Sequence, residues 1–248
     1  MPGFDFSVLQ WILLILSAAL IGMSKVGVPG VSMLVVPTLA IIFGGKASTG
    51  ILLPILMMAD VFAVLYYHRH AQWKYLWKLL PFAFIGIGIA LWVGEVVNDE
   101  WFKNIIAVMV FLSIGLMIWR DRKKEQTLFP DNWIFAGFMG VLGGFATMIG
   151  NVAGPIFAIY LLAMHQPKNK FIGTTAWFFL IVNFSKFPLH ILVWKTINWQ
   201  TLSLDIMLFP AIALGAFAGI QLIKRISDKL YRTAVIVVTA LSAFLLLI

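Results

Sequence analysis

GMSKVGVPG at residues 22–30 and TMIGNVAGP at residues 147–155 are two breaks set into otherwise apolar sequence, and their reading decides the fold. The first separates an apolar run at 8–21 from another at 31–43, and the second separates 133–146 from 156–164. A run of about 13 or 14 residues covers only about 20 Å as a helix, short of the roughly 30 Å of a hydrocarbon core. Each pair is therefore expected to form two short helices joined at a Gly/Pro tip, a re-entrant hairpin with its tip near the bilayer midplane. Two thin full spans are the alternative.

Outward from the breaks lie longer apolar segments at 51–67, 76–97, 101–119, 171–194, 202–221 and 233–248, each long enough for one crossing. The 62% apolar and 11% charged composition leaves too much apolar surface for a water-soluble globule. A net charge of +8 invites a nucleic-acid reading, but the basic residues sit in short loops between apolar spans, so no nucleic-acid partner is expected. With no Cys, disulfides, thiolate metal sites and Cys nucleophiles are excluded. The N-terminal MPGFDFSVLQ has no basic n-region and is expected to be part of the mature protein.

Charge counting orients the chain. Arg69, Lys74, Lys78, Arg120, Arg122, Lys123, Lys124, Lys168, Lys170, Lys224, Arg225, Lys229 and Arg232 fall on one side, expected to be cytoplasmic. Lys46, Lys103 and Lys195 fall on the other, beside the acidic turn with Glu95, Asp99 and Glu100. Both termini are then outside. Lys25 and Lys186 belong to neither side because they lie within membrane segments, which makes them functional candidates.

The polar run DRKKEQTLFPDN divides the chain into a first transmembrane repeat at 1–120, a cytoplasmic linker at 121–132 and a second repeat at 133–248. The halves match in order: Pro29 with Pro155, Lys25 with Asn151, Gly50 with Gly173, Asp60 with Asn183, Pro81 with Pro210 and Gly86 with Gly215. A returning hairpin plus three crossings is an odd number of passes, so the second half must be inverted. The expected fold is an all-α polytopic membrane protein of two inverted repeats, each a broken or re-entrant hairpin plus three transmembrane helices.

At each tip a helix N-terminus opens deep in the membrane, where its free N–H groups and positive dipole end would suit a bound anion. Ser24, Lys25, Gly27 and Gly30 in the first tip, and Gly150, Asn151 and Gly154 in the second, are the leading substrate-binding candidates. The competing account gives the glycines a packing role only, but a lysine in the same turn is costly in lipid and favours function. Asp60 could pair with Lys25 or Lys186, carry a proton during transport, or face a water-filled cavity. Asn183, Lys186 and His190 recur at i, i+3 and i+7 and share one helix face, expected to look inward and to add Asn183 and Lys186 to the site. Lys186 could instead snorkel to the interface.

His68 and His70, among Tyr66, Tyr67, Trp73 and Trp77, read as an interfacial aromatic belt, and no metal or cofactor site is expected. His165 lies in a loop and completes no ligand spacing. No nucleotide fingerprint, P-loop or GxSxG is present, so an enzyme is not expected. A passive anion channel and an exporter of small carboxylates stay open beside a secondary anion transporter.

The ordered motifs GMSKVGVPG, KASTGILLP with Asp60, TMIGNVAGP and FIGTTAWFFLIVN resemble the TauE/SafE sulfite-exporter family, also called the 4-toluene sulfonate uptake permease family. The similarity covers nearly the whole chain, 8–248. It implies movement of sulfite or sulfur-containing organic anions such as sulfonates across a bacterial-type inner membrane, with proton coupling and a homodimer as further expectations. Lys25 and Val28 interrupt a first tip that is richer in glycine in many members, which leaves the anion itself open.

Single cysteines near Lys123 and near Asp99, in a chain with none of its own, should label from opposite faces of the membrane. Labelling from one face would remove both the topology and the inversion.

Overall fold

In the computed structural model the described residues are 6–27, 32–102, 104–105, 108–109, 112, 132–164, 166–227 and 230, with Met33, Leu34, Pro37 and Ala163 described by backbone alone. Among them all regular structure is helical. The helices are α1 (Val8–Lys25), α2 (Ser32–Phe43), α3 (Gly45–Tyr67), α4 (Trp73–Val96), α5 (Trp133–Gly150), α6 (Gly154–Ala163), α7 (Lys168–Leu192), α8 (Trp199–Met207) and α9 (Phe209–Lys224). Pro29, Gly30, Lys103, His165, Lys229, Arg232, residues 113–131 and the last expected crossing at 233–248 lie outside the described residues. Of the expected crossing at 101–119 only scattered positions fall inside them.

Local chemistry sets the helix ends. Ser7 and Gln10 form a capping box at the start of α1, and the Asn132 side chain accepts from the Phe135 N–H at the start of α5, 2.8 Å. At the end of α5 Asn151 takes the left-handed conformation, φ 57°, while its own N–H reaches the Thr147 carbonyl and the Val152 N–H the Ala146 carbonyl. This pair of bonds satisfies carbonyls that the helix leaves open, which matters where no water is at hand.

The two broken pairs differ from the expected equal short helices. α1 and α5 each have 18 residues, about 27 Å, whereas α2 has 12 and α6 only 10. Gly22–Lys25 and Thr147–Gly150 stay helical, so the breaks fall later, at Val26–Gly27 and at Asn151–Ala153. Each pair thus joins one helix of spanning length to one too short to cross. A second difference concerns residues 202–221, expected as one crossing but formed by α8 and α9, bent by 45° at Leu208. Pro210 in the first turn of α9 removes one N–H and its ring crowds the preceding turn, which favours a bend at this point. By length and composition α1, α3, α4, α5 and α7 can each cross a membrane, and the bent α8–α9 pair would make six. Exposed Leu214 and Phe217 on α9, and Trp77 and Trp92 on α4, then face lipid.

Glycine governs how closely the helices approach. A Cβ on Gly86 of α4 would overlap the Val141 carbonyl of α5, and one on Gly144 of α5 would overlap the Ala83 carbonyl of α4. α1 and α9 meet in the same way, with Gly22 against Ile212 and Gly215 against the Ala19 carbonyl. Without a hydrophobic drive between helices in lipid, such backbone contact supplies the packing. α3 crosses α7, and Gly50 and Gly173 there abut Thr196 and the Tyr67–His70 segment.

The loop charges fall at two ends. Lys46 pairs with Glu95 at 3.0 Å, and Asp99 accepts from the Gly45 and Lys46 N–H groups, placing an acid at the N-terminus of α3 where the helix dipole favours it. Elsewhere Lys168 donates to the Ile223 and Ile226 carbonyls at the end of α9, and the Lys224 ammonium lies over the Tyr66 ring. Lys168 and Lys224, read as lying on one side, are therefore near each other.

Replacing Gly144 by Ala should lower the thermal stability of the purified protein, by about 1–3 kcal/mol as expected for overpacking. Gly88→Ala in α4, where a Cβ would meet nothing within 4 Å, is the control and should be neutral or slightly stabilising. Equal stability of the two variants would refute the close α4–α5 contact.

Candidate functional site

Four helices deliver the polar side chains that the bilayer cannot solvate. Lys25 ends α1, so its ammonium sits where the helix dipole favours a cation. It lies 2.8 Å from Asp60 Oδ1 and 4.1 Å above the centre of the Phe179 ring. Asp60, in α3, is fully buried, and its Oδ2 accepts from Asn183 Nδ2 of α7 at 2.6 Å. Among the partners that the sequence left open for Asp60, the structure selects Lys25.

Lys186 does not snorkel. It is fully buried, and its Nζ donates to the Thr147 carbonyl and Oγ1, both at 2.9 Å, and to Asn151 Oδ1 at 2.7 Å. Three acceptors around one nitrogen match the three N–H bonds of an ammonium. Asn151 Nδ2 in turn donates to the Thr49 carbonyl at 3.3 Å, tying the end of α5 to α3. His190 completes the inward face of α7, with Nδ1 2.8 Å from Thr196 Oγ1.

A cavity of about 50 Å³ lies among these groups, lined by Ser24, Lys25, Ser32, Thr147, Asn151, Gly154, Thr175 and Asn183 and by the apolar walls Leu56, Ala158, Phe171 and Phe179. That is room for three or four waters, or for one small oxyanion in their place. Ser24, Lys25, Asn151, Gly154 and Asn183, all singled out from the sequence, thus come together. Asp60 and Lys186 stand directly behind, bonded to Asn183 and Asn151.

Other candidates have a different place. Gly27, at φ 138°, does not line the cavity; a Cβ there would press on Ile172 and Ile223, so packing and backbone geometry account for it. Gly150 is buried in the last turn of α5 and does not line it either, and Gly30 lies outside the described residues. Thr147, Thr175 and Phe179 were missed, although Thr147 precedes Asn151 by four residues, and Thr175, Phe179 and Asn183 are spaced by four. That helical spacing places each on the face already chosen.

Asp205 was also missed. It is fully buried in α8 with no hydrogen-bond partner at either oxygen, beside a second cavity of about 250 Å³ whose other lining residues, among them Met57, Val61, Phe184 and Phe187, are apolar.

Apolar helices of spanning length around a buried, charged cavity define a multi-pass α-helical membrane protein. The family model described as sulfite exporter TauE/SafE matches residues 14–246, and the chain belongs to this family of transporters. Comparison with curated proteins and with solved structures returns no match.

Lys25→Met strands the Asp60 carboxylate away from water and should cost about 3–5 kcal/mol of stability, the usual result of breaking a buried pair from one side. Adding Asp60→Asn should recover most of that loss, as read in thermal unfolding of both variants. If Lys25→Met is as stable as the parent, the ammonium is not the partner that holds Asp60 charged.

Proposed function

We propose that this chain is a secondary transporter of small anions, with sulfite or a sulfur-containing organic anion such as a sulfonate as substrate, and not an enzyme. The observation that carries this is the cavity itself. An ammonium, two amide side chains and four hydroxyl groups line a small space inside a bundle of membrane-spanning helices. A buried cation among neutral donors is chemistry for an anion, and family membership points to the sulfur oxyanions. In this reading Ser24, Lys25, Gly154, Asn151 and Asn183 contact the substrate, and Lys186 acts through Asn151.

The proposal includes two inverted repeats, both termini outside and a place in the cell membrane. Contacts between matched positions support the inversion. Asp60 touches its own counterpart Asn183, and Gly86 packs on α5 as Gly215 packs on α1. An element pair that meets through equivalent residues is what a two-fold relation in the membrane plane would produce. A small anion, lipid and protons are the partners in this reading, with a second copy of the chain as a further one.

Asp60 is the proposed proton carrier, since its loss of charge would release Lys25 toward the substrate. Asp60→Asn should fold, because an amide already occupies the matched position, and should change the pH dependence of transport. An unaltered pH profile in a transporting variant would exclude Asp60 from coupling. In proteoliposomes offered sulfite, sulfonates, sulfate, thiosulfate and small carboxylates, sulfite or a sulfonate should move with an accompanying proton flux. Movement without proton flux would favour a channel, movement of carboxylates alone would shift the substrate, and movement of none would overturn the proposal.

A further inference from the structure

The buried cluster carries an unbalanced charge. Its ionisable side chains are Lys25 on α1, Asp60 on α3, and Lys186 and His190 on α7, while α5 and α6 contribute Thr147, Asn151 and Gly154, none of which titrates. Lys25 and Asp60 form an ion pair, with the Asn183 amide donating to the second carboxylate oxygen. Lys186 has only neutral oxygens around it. His190 has a hydrogen-bond partner at Nδ1 alone, and its Nε2 has none, the pattern of a neutral ring. With Lys186 protonated, its three N–H bonds directed to the three oxygens around it, two ammonium groups stand against one carboxylate and leave one positive charge in excess.

Uncompensated charge inside a low-dielectric interior is costly, and a singly charged anion cancels it. A doubly charged anion would replace an excess of one sign by an excess of the other. A second, independent observation concerns hydrogen bonding. Asn183 lines the cavity with its Nδ2 committed to Asp60, which leaves its Oδ1 as a buried acceptor without a partner. Buried acceptors in folded proteins are almost always satisfied, and a ligand that brings its own O–H donor satisfies this one.

We infer that the site takes a singly charged oxyanion that still carries a proton, so that sulfite binds as hydrogen sulfite and not as the dianion. The excess positive charge selects against dianions, and Asn183 Oδ1 receives the proton-bearing oxygen. A sulfonate, singly charged but without a donor, satisfies the charge and leaves Asn183 unpaired, so it ranks second. Sulfate, doubly charged at neutral pH, ranks last. This inference rests on the transport reading, because it assumes that the cavity beside Lys25 is where the anion binds.

The test is equilibrium binding of sulfite, methanesulfonate and sulfate to the purified full chain at several pH values spanning neutrality, where sulfite passes between its singly and doubly charged forms. Affinity per total sulfite should rise toward acid in step with the hydrogen sulfite fraction. Methanesulfonate keeps one charge throughout and reports any titration of the protein itself. It should bind at least about tenfold more tightly than sulfate, the factor that about 1.4 kcal/mol of selectivity gives. Asp60→Asn raises the excess to two positive charges and should move sulfate up relative to methanesulfonate by about tenfold. Sulfate binding as tightly as methanesulfonate, or sulfite affinity rising toward base after correction by the methanesulfonate profile, overturns the charge selection while leaving anion transport standing. Binding of none of the three overturns both. Should Asp60→Asn fail to fold, the three ligands on the unmodified protein decide the matter.

Discussion

An ammonium and a carboxylate 2.8 Å apart, with the carboxylate fully buried, tie the end of α1 to the middle of α3, and much else in the molecule is arranged around them. Each group alone would be expensive in this environment. Together they are tolerated only because further partners complete the geometry: the Asn183 amide on the free oxygen and the Phe179 ring beneath the ammonium. Those two partners come from α7, so the pair also fixes the rotation of α7 against α3. A helix turned by one residue, about 100°, would present Phe184 or Val182 to Asp60 and leave the carboxylate half satisfied.

The same face of α7 carries Lys186 about one turn further on. Its three acceptors come from the end of α5, and this explains why the left-handed Asn151 matters beyond ending a helix. With α5 stopped at Gly150, the Thr147 carbonyl accepts from Lys186 as well as from the Asn151 N–H, and the Asn151 side chain reaches Lys186 Nζ at 2.7 Å. Helix termination, normally a local matter, here supplies a cation site for a residue 35 positions away. At the end of α1 Lys25 meets the Asp60 carboxylate, whereas at the end of α5 Lys186 meets only neutral oxygens, so the two ends of the cavity differ chemically.

The glycines define how near these groups can come. The approach of α4 to α5 and of α1 to α9 is backbone against backbone, and it leaves no room for adjustment by side-chain rotation. Lys25 lies three residues beyond Gly22, the packed glycine of α1, whereas Asn151 lies seven beyond Gly144, the packed glycine of α5. The second helix therefore runs about one turn further past its crossing. Ordering Lys25 against Asn151 by sequence places two residues together that packing offsets by that turn.

Periodicity and composition alone determined that the chain lives in lipid and that Asn183, Lys186 and His190 share one helix face, whereas the burial of Asp60 and Lys186 in place of a snorkelling Lys186 was decided by the packing. A helix has one period and lipid has one polarity, so the first two conclusions need no knowledge of neighbours. Helix lengths at the breaks were harder to read, because Gly22 and Ser24 or Gly150 weaken a helix without ending it, and only the surrounding contacts show that the chain stays helical to Lys25 and Gly150. The bend at Leu208 had a visible signal in Pro210, outweighed by the continuous apolar run around it. Which lysine Asp60 pairs with, what holds the other, and that Gly27 and Gly150 stand outside the cavity were decided by tertiary structure. Each depends on the relative depth and rotation of helices far apart in sequence, set by glycine contacts whose register the sequence does not display.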